Sequence, residues 1–171
     1  DIKILIICAL EKEFPPAHNP YKDITFYSGV GKTNATLKTV ELIHKFSPDI
    51  IINFGTAGSC NPNLSGLIEC GTFFDRDDSA KFNPDERIIT DSDLYIISSG
   101  DNFVTKKIEG CDLVDMEAYS IAKACQKYNV QFKCFKYITD YVNTSSYIDW
   151  DMNISNGYLA FLKILKSYSR K

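Results

Sequence analysis

The chain has 171 residues, a length that fits one domain and leaves little room for a second, so residues 1–171 are expected to fold as a single unit. Hydrophobic residues make up 44% and charged residues 24%, the composition of a soluble domain with a sizeable core. The net charge of −3, from 19 basic and 22 acidic residues, gives no electrostatic reason to expect nucleic acid or an acidic membrane surface as partner, and a small-molecule ligand fits better.

In chain order, Lys3–Ala9 is an apolar run of the kind that forms a strand covered on both faces. No basic stretch precedes it and Glu11-Lys-Glu13 follows closely, so it reads as a buried strand and not as a signal peptide. No run approaches the roughly 18 apolar residues of a membrane span. A turn-rich segment with Pro15, Pro16 and Pro20 leads to a second strand, Ile24–Ser28. Gly29-Val-Gly31 breaks the chain, and Ala35, Leu37, Val40, Ile43 and Phe46 then recur at helical spacing over Thr33–Phe46, with Pro48 as the stop. Asp49–Phe54 is the next buried strand, ending in Gly55-Thr-Ala-Gly58. The polar stretch from Ser59 to Arg87 holds one strand near Leu67–Asp75, and Leu94–Ser98 is another. Asp112–Val114 leads into a helix from Met116 to Tyr128 with the apolar stripe Ala118, Ile121, Ala122 and Cys125. Phe132–Ile138 reads as a strand and Ile154–Tyr168 as a terminal amphipathic helix. This alternation of short apolar runs and amphipathic stretches favours a layered α/β fold.

The six cysteines, at positions 8, 60, 70, 111, 125 and 134, contain no CxxC, and they read as reduced thiols of a cytoplasmic protein. His18 and His44 lie far from any cysteine pair, so no metal site is expected.

Four strands end at their carboxyl side in clusters able to do chemistry, the place where open α/β sheets hold ligands. Glu11-Lys-Glu13 follows the first strand, and a carboxylate there is either a solvated loop charge or a general base. GVGKTNA, Gly29–Ala35, lacks the upstream glycine of a phosphate loop and reads better as a tight strand-to-helix turn. In NFGTAGS, Asn53–Ser59, small residues including Gly58 let backbone amides approach an oxygen-rich ligand. Asp115 and Glu117 open a helix, where the helix dipole favours acidic residues for structural reasons as well. Asp140, in YITDYVN, is placed to be a helix cap or a proton donor.

Taken together and in order, KILIICALEKEF, YSGVGKTNA, PDIIINFGTAGS, SSGDNF, VDMEAYSIAKAC and YITDYVN give the chain a resemblance to the purine nucleoside phosphorylase and nucleosidase superfamily, specifically to the 5′-methylthioadenosine/S-adenosylhomocysteine nucleosidases. The resemblance runs from residue 3 to about residue 143. It implies a three-layer α/β/α sandwich with a mixed, twisted central sheet, and a homodimer, for which the exposed part of Thr33–Phe46 and the loop near Leu64–Gly71 would supply contacts. It implies hydrolysis of the N-glycosidic bond of a purine nucleoside, releasing adenine, with no metal or organic cofactor. Residue by residue, Glu13 resembles the carboxylate that activates water and Thr56 the group that helps hold it. Phe103 resembles the aromatic that stacks on the base, and Val104 a backbone contact to the purine edge. Met116 and Glu117 resemble the pair that holds the ribose. Asp140, with Thr139 beside it, resembles the acid acting on nitrogen 7 of the purine, which requires burial to raise its pKa.

Within the superfamily, Asn53 stands where phosphorylases place an arginine, and Glu13 where they carry phosphate-binding groups, so water is expected as nucleophile over phosphate. A phosphorylase, or a protein that binds a nucleoside without cleaving it, is the alternative. Two departures stand out. The segment between Asp75 and Ser98 is short and acidic (DRDDSAKFNPDERIITDSD), and Lys136 replaces an arginine near the water, keeping its charge but losing the planar fork.

Overall fold

The computed structural model describes residues 1–168. Its elements are β1 (Ile4–Cys8), β2 (Thr25–Tyr27), α1 (Lys32–Phe46), β3 (Ile50–Ser59), β4 (Leu67–Asp75), β5 (Ile88–Ile89), β6 (Tyr95–Ser99), β7 (Leu113–Asp115), α2 (Ala118–Lys127), β8 (Gln131–Asp140), α3 (Ser146–Asn153) and α4 (Tyr158–Tyr168). The strands form one mixed sheet. β1 pairs in parallel with β2 and β3, and β3 in parallel with β8. β8 then pairs antiparallel with β4, which pairs in parallel with β6 and antiparallel with the short β5. β6 pairs in parallel with β7, and β7 returns antiparallel onto the end of β3 through Gly58–Val114 and Ser59–Leu113. The strands β3, β8, β4, β6 and β7 thus close a ring, with β1 and β2 extending it on one side.

The two faces of the sheet are both covered, which is why the central strands carry no polar alternation. Leu5 and Ile7 of β1 and Ile51 of β3 point into one cluster with Ala35 and Leu42 of α1 and Ile121 and Ala122 of α2. Ile6 and Cys8 of β1, with Ile52 and Phe54 of β3, point the other way, against Phe14 and against Phe161 and Leu165 of α4. This is the expected mixed sheet between helical layers. α1 ends where Ser47 turns into the left-handed region (φ 47°) and returns its amide to the Ile43 carbonyl, just before Pro48.

Three local expectations are corrected. β3 does not stop at Phe54 but runs on through Gly55-Thr-Ala-Gly58 to Ser59, because β8 and β7 keep supplying its hydrogen-bond partners. Residues 113–115 form a strand that closes the ring. The helix expected over Ile154–Tyr168 is α4 and begins only at Tyr158, and a separate helix that the sequence reading did not anticipate, α3 (Ser146–Asn153), precedes it.

The second face is anchored by aromatic rings. Phe161 is fully buried, stacks on Phe54 with centroids 4.4 Å apart, and meets Phe14 edge-on at 5.5 Å. Phe161→Ala is expected to cost about 3–5 kcal/mol in urea unfolding, the usual range for emptying a buried phenyl site; a loss below about 1 kcal/mol would show that α4 is not a structural part of the core.

Candidate active site

At the carboxyl edge of β1, β3, β7 and β8 the chain encloses a cleft of about 280 Å³. Glu13, Thr56, Gly58, Phe103, Val104, Met116, Glu117 and Asp140 all line it, so eight of the residues singled out from the sequence meet in one place. Lys136 and Thr139 do not line it. Lys136 lies buried behind the wall, and Thr139 turns its hydroxyl to the Ala57 carbonyl and to Asp140 Oδ1.

Glu13 stands on the turn after β1, buried at 4% exposure. Its Oε1 accepts the Leu10 amide at 3.0 Å, and its Oε2 accepts both the amide (2.7 Å) and the hydroxyl (2.9 Å) of Thr56. A solvated loop charge would not be held by three donors. Gly55, next along β3, leaves the space for this: a Cβ there would stand 3.1 Å from Glu13 Oε2 and 3.0 Å from Lys136 Nζ. Gly58 does the same for Asp140, whose Oδ2 would lie 2.7 Å from an added Cβ. Between the two glycines the β3–β8 register slips, from Ala57 opposite Ile138 to Gly58 opposite Asp140, a bulge that re-aims the last residue of β8 into the cleft.

Asp115 and Glu117, two residues apart, do different work. Asp115 Oδ2 accepts the amides of Glu117 and Ala118, capping α2, and forms an ion pair with Lys136 Nζ at 3.0 Å, both side chains 1% exposed. Its other oxygen accepts the Ser99 hydroxyl, which itself accepts the Tyr119 amide. Glu117 faces the cleft, and its Oε2 accepts the Gly31 amide at 2.8 Å. The glycine turn GVGK is therefore part of this wall and not a phosphate loop: Lys32 Nζ is committed to Asp75 at 2.9 Å and Asp77 at 2.7 Å.

Sequence reasoning left Tyr147 and Trp150 without a role. Both stand on α3 three residues apart, on one face of the helix, and both line the cleft. They form a triangle with Phe103, each pair of ring centroids 5.7 Å apart, and the Trp150 indole N–H donates to Thr56 Oγ1 at 3.0 Å. The signal for α3 was the Asn143/Ser145 cluster, where Ser145 donates its amide and hydroxyl to Asn143 Oδ1 ahead of the helix. Arg76 was also passed over. It lines the cleft while donating to the carbonyls of Ser98, Asp115 and Asn102, bracing the turn that carries Phe103.

Burial governs the ionisation of this cluster. It raises the Glu13 pKa, with Lys136 and the Thr56 and Leu10 hydrogen bonds pulling against it. It raises Asp140 likewise, in the direction expected from the sequence, against hydrogen bonds from Ser146, Val142 and Thr139. Asp115 is the exception: burial would raise it, but Lys136 beside it and the Ser99 and Ala118 bonds hold it below the usual range. Lys136 in turn is lifted above the lysine range, the carboxylates outweighing its own desolvation. Glu117 is pushed up to about 8, by burial first and then by the neighbouring charge of Asp115. A carboxyl whose pKa is higher folded than unfolded binds more protons in the native state between about 4.5 and 8, so its contribution to stability falls as pH rises through that window. Glu117→Gln, which keeps an oxygen for the Gly31 amide, is therefore expected to raise the melting temperature relative to the parent by an amount that grows from pH 5 to pH 8, at roughly 2–4 °C per kcal/mol for a chain of this size. A difference that does not change with pH would show that Glu117 takes up no proton on folding.

Comparison with known proteins agrees with this geometry. The family model described as the phosphorylase superfamily matches residues 24–66. A 5′-methylthioadenosine/S-adenosylhomocysteine nucleosidase of Staphylococcus carnosus is 30% identical over 161 residues, covering 72% of this chain and 71% of the relative. The nucleosidase of Anoxybacillus flavithermus is 26% identical over 170 residues, covering 77% and 73%. Among solved structures, an aspartate-to-asparagine mutant of the Helicobacter pylori nucleosidase with 5′-methylthioadenosine in its active site superposes with a TM-score of 0.84 at 23% identity, covering 98% of this chain and 97% of the other. The futalosine hydrolase of the same organism superposes with a TM-score of 0.83 at 23% identity, covering 97% and 96%. With one fold, one cleft and this level of sequence identity, the chain belongs to the nucleosidase family of the nucleoside phosphorylase superfamily, a family of N-glycosyl hydrolases.

Proposed function

We propose that the protein hydrolyses the N-glycosidic bond of a purine nucleoside, with 5′-methylthioadenosine or S-adenosylhomocysteine as substrate and free adenine as one product. The observation that carries this reading is the meeting of Glu13, Glu117 and Asp140, from three separate strand ends, around one cleft. Cleavage builds positive charge on the sugar and negative charge on the departing base. Glu13 takes a proton from water as the water oxygen bonds to the anomeric carbon; the bond to the base breaks, and the proton on Asp140 goes to nitrogen 7 of the purine. Two carboxyl groups of opposite protonation across the substrate follow the logic of glycoside hydrolysis. Glu117 and Met116 hold the ribose in this reading, Phe103 stacks on the base and Val104 borders its edge.

Water is favoured over phosphate by the state of the cations. Arg76 is the one cation among the described residues lining the cleft, and its guanidinium is taken up by three carbonyls. Lys136 is paired with Asp115, and Asn53 is buried with its amide on the Ile7 carbonyl. The same reading carries a homodimer, for which Leu37 of α1, 65% exposed, offers a contact, and a cytoplasmic setting. Among the described residues no helix is long and apolar enough to cross a membrane.

The test is release of free base from 5′-methylthioadenosine, S-adenosylhomocysteine, futalosine, adenosine and inosine, each with and without phosphate. Phosphate-independent release, fastest with one of the two 5′-thio substrates, is expected. Asp140→Asn is expected to lose about 10²–10⁴-fold in kcat, the usual worth of a positioned proton donor. Rate should fall as pH drops through the Glu13 pKa, because the base must be ionised, and as pH climbs through that of Asp140, because the acid must keep its proton. Release that requires phosphate would make the protein a phosphorylase, and undiminished activity in Glu13→Gln and Asp140→Asn would overturn the assignment of roles.

A further inference from the structure

We propose that Trp150 is a positioning residue for Glu13, acting through the Thr56 hydroxyl, a role that rests on the nucleosidase reading above. The indole N–H is a donor only, and from α3 it reaches back 94 positions along the chain to Thr56 Oγ1 at 3.0 Å. That hydroxyl in turn donates to Glu13 Oε2 at 2.9 Å. A hydroxyl has one proton and two lone pairs, so an N–H on one lone pair fixes the rotor and sends the proton to the carboxylate. The Thr56 amide reaches the same oxygen at 2.7 Å, so Oε2 is held by two donors from one residue. Oε1 receives the single amide of Leu10 and keeps acceptor capacity for the proton of water.

A tryptophan serving only as an apolar wall needs no such bond. Phe103 and Tyr147 already supply ring area beside it, and phenylalanine in its place would keep the packing. What phenylalanine cannot supply is the donor. The groups facing Glu13 are Lys136 from β8, Glu117 at the start of α2, and Cys8 from β1; from α3 itself, Asp149 acts on Asp140. Against that field the Trp150–Thr56 link adds a neutral donor that favours the ionised carboxylate and ties its position to α3, the helix that walls the cleft.

The chain holds one tryptophan, so its fluorescence reports on this bond directly. The expected result is a titration of the emission with a midpoint above the ordinary glutamate range, absent in Glu13→Gln and in Thr56→Val. A titration unchanged in both variants overturns the proposal. This readout needs no turnover, so it stands or falls separately from whether the protein releases base. In the base-release assay, Trp150→Phe is expected to lower kcat about three- to tenfold, the range of one neutral hydrogen bond, with KM little changed and the acid limb of the pH profile moved upward. In the Thr56→Val background the same substitution is expected to have little further effect. An equal loss in both backgrounds, or a loss confined to KM, would assign Trp150 to packing alone and overturn the proposal.

Discussion

The interaction on which the rest depends is the buried ion pair between Lys136 and Asp115. Lys136 comes from the middle of β8 and Asp115 from the end of β7, and their side chains meet at 3.0 Å with almost no exposure. Through Asp115 the pair reaches the first amides of α2 and the Ser99 hydroxyl of β6, so one contact fixes four elements around the cleft. Such a pair adds little net stability over an apolar equivalent, but removing one partner leaves a buried charge at a cost of about 3–5 kcal/mol. Its larger consequence is a shortage of positive charge. Glu13, Asp115 and Glu117 all feel Lys136, and only Asp115 is in contact with it. One cation cannot neutralise three buried carboxylates. Asp115 is held ionised, and the two that face the cleft are pushed toward their protonated forms. An arginine fork would reach two oxygens in fixed directions; lysine is a compact point charge, and spending it on Asp115 leaves hydrogen bonds to hold Glu13.

That division explains why the cleft wall is built from small residues. β3 passes between the charged groups with Gly55 facing Glu13 and Lys136, and Gly58 facing Asp140. A side chain at either position would occupy the space of the carboxylate. The bulge at Thr139 then brings Asp140 round without breaking the ladder, so the same strand pair that forms the centre of the core also delivers the acid. Core and site share these strands, and a substitution that shifts β3 against β8 moves both.

The layered α/β architecture and the residues at the strand ends were legible in the sequence, because apolar runs and carboxylates after them are local signals. Glu13, Glu117 and Asp140 could each be picked out by position alone. Their electrostatic state could not, since Glu117 is raised by Asp115 and Asp115 is lowered by a lysine 21 positions further on, a relation that exists only in three dimensions. α3 was missed for a different reason. Tyr147 and Trp150 are large, and helical spacing would bring them together, but the segment between Asp140 and Asn153 is mostly polar and carries little apolar periodicity. Its position comes from tertiary bonds: the Asn143 amide donating to the Ser146 hydroxyl is local, but the bonds from Asn153 to the Thr139 carbonyl and from Trp150 to Thr56 are supplied by β8 and β3.

The acidic run that starts at the end of β4, one of the two departures from the family pattern, is a brace. Lys32 Nζ joins Asp75 and Asp77, Asp77 accepts the Asp101 amide, and Asp101 accepts the Lys32 amide, so the start of α1, the end of β4 and the turn after β6 close into one ring of bonds. Arg76, between the two aspartates, adds the carbonyls of Ser98, Asn102 and Asp115. An individual exposed ion pair is worth less than about 1 kcal/mol, but Lys32, Asp75 and Asp77 are partly buried and share partners, which makes them act as a unit. Their net effect is to hold the turn bearing Phe103 and Val104 against the wall that carries Glu117. A short acidic segment can therefore stand beside this cleft without loosening it: Lys32 matches Asp75 and Asp77, Arg76 binds the backbone carbonyls around them, and together they fix where the aromatic ring is presented.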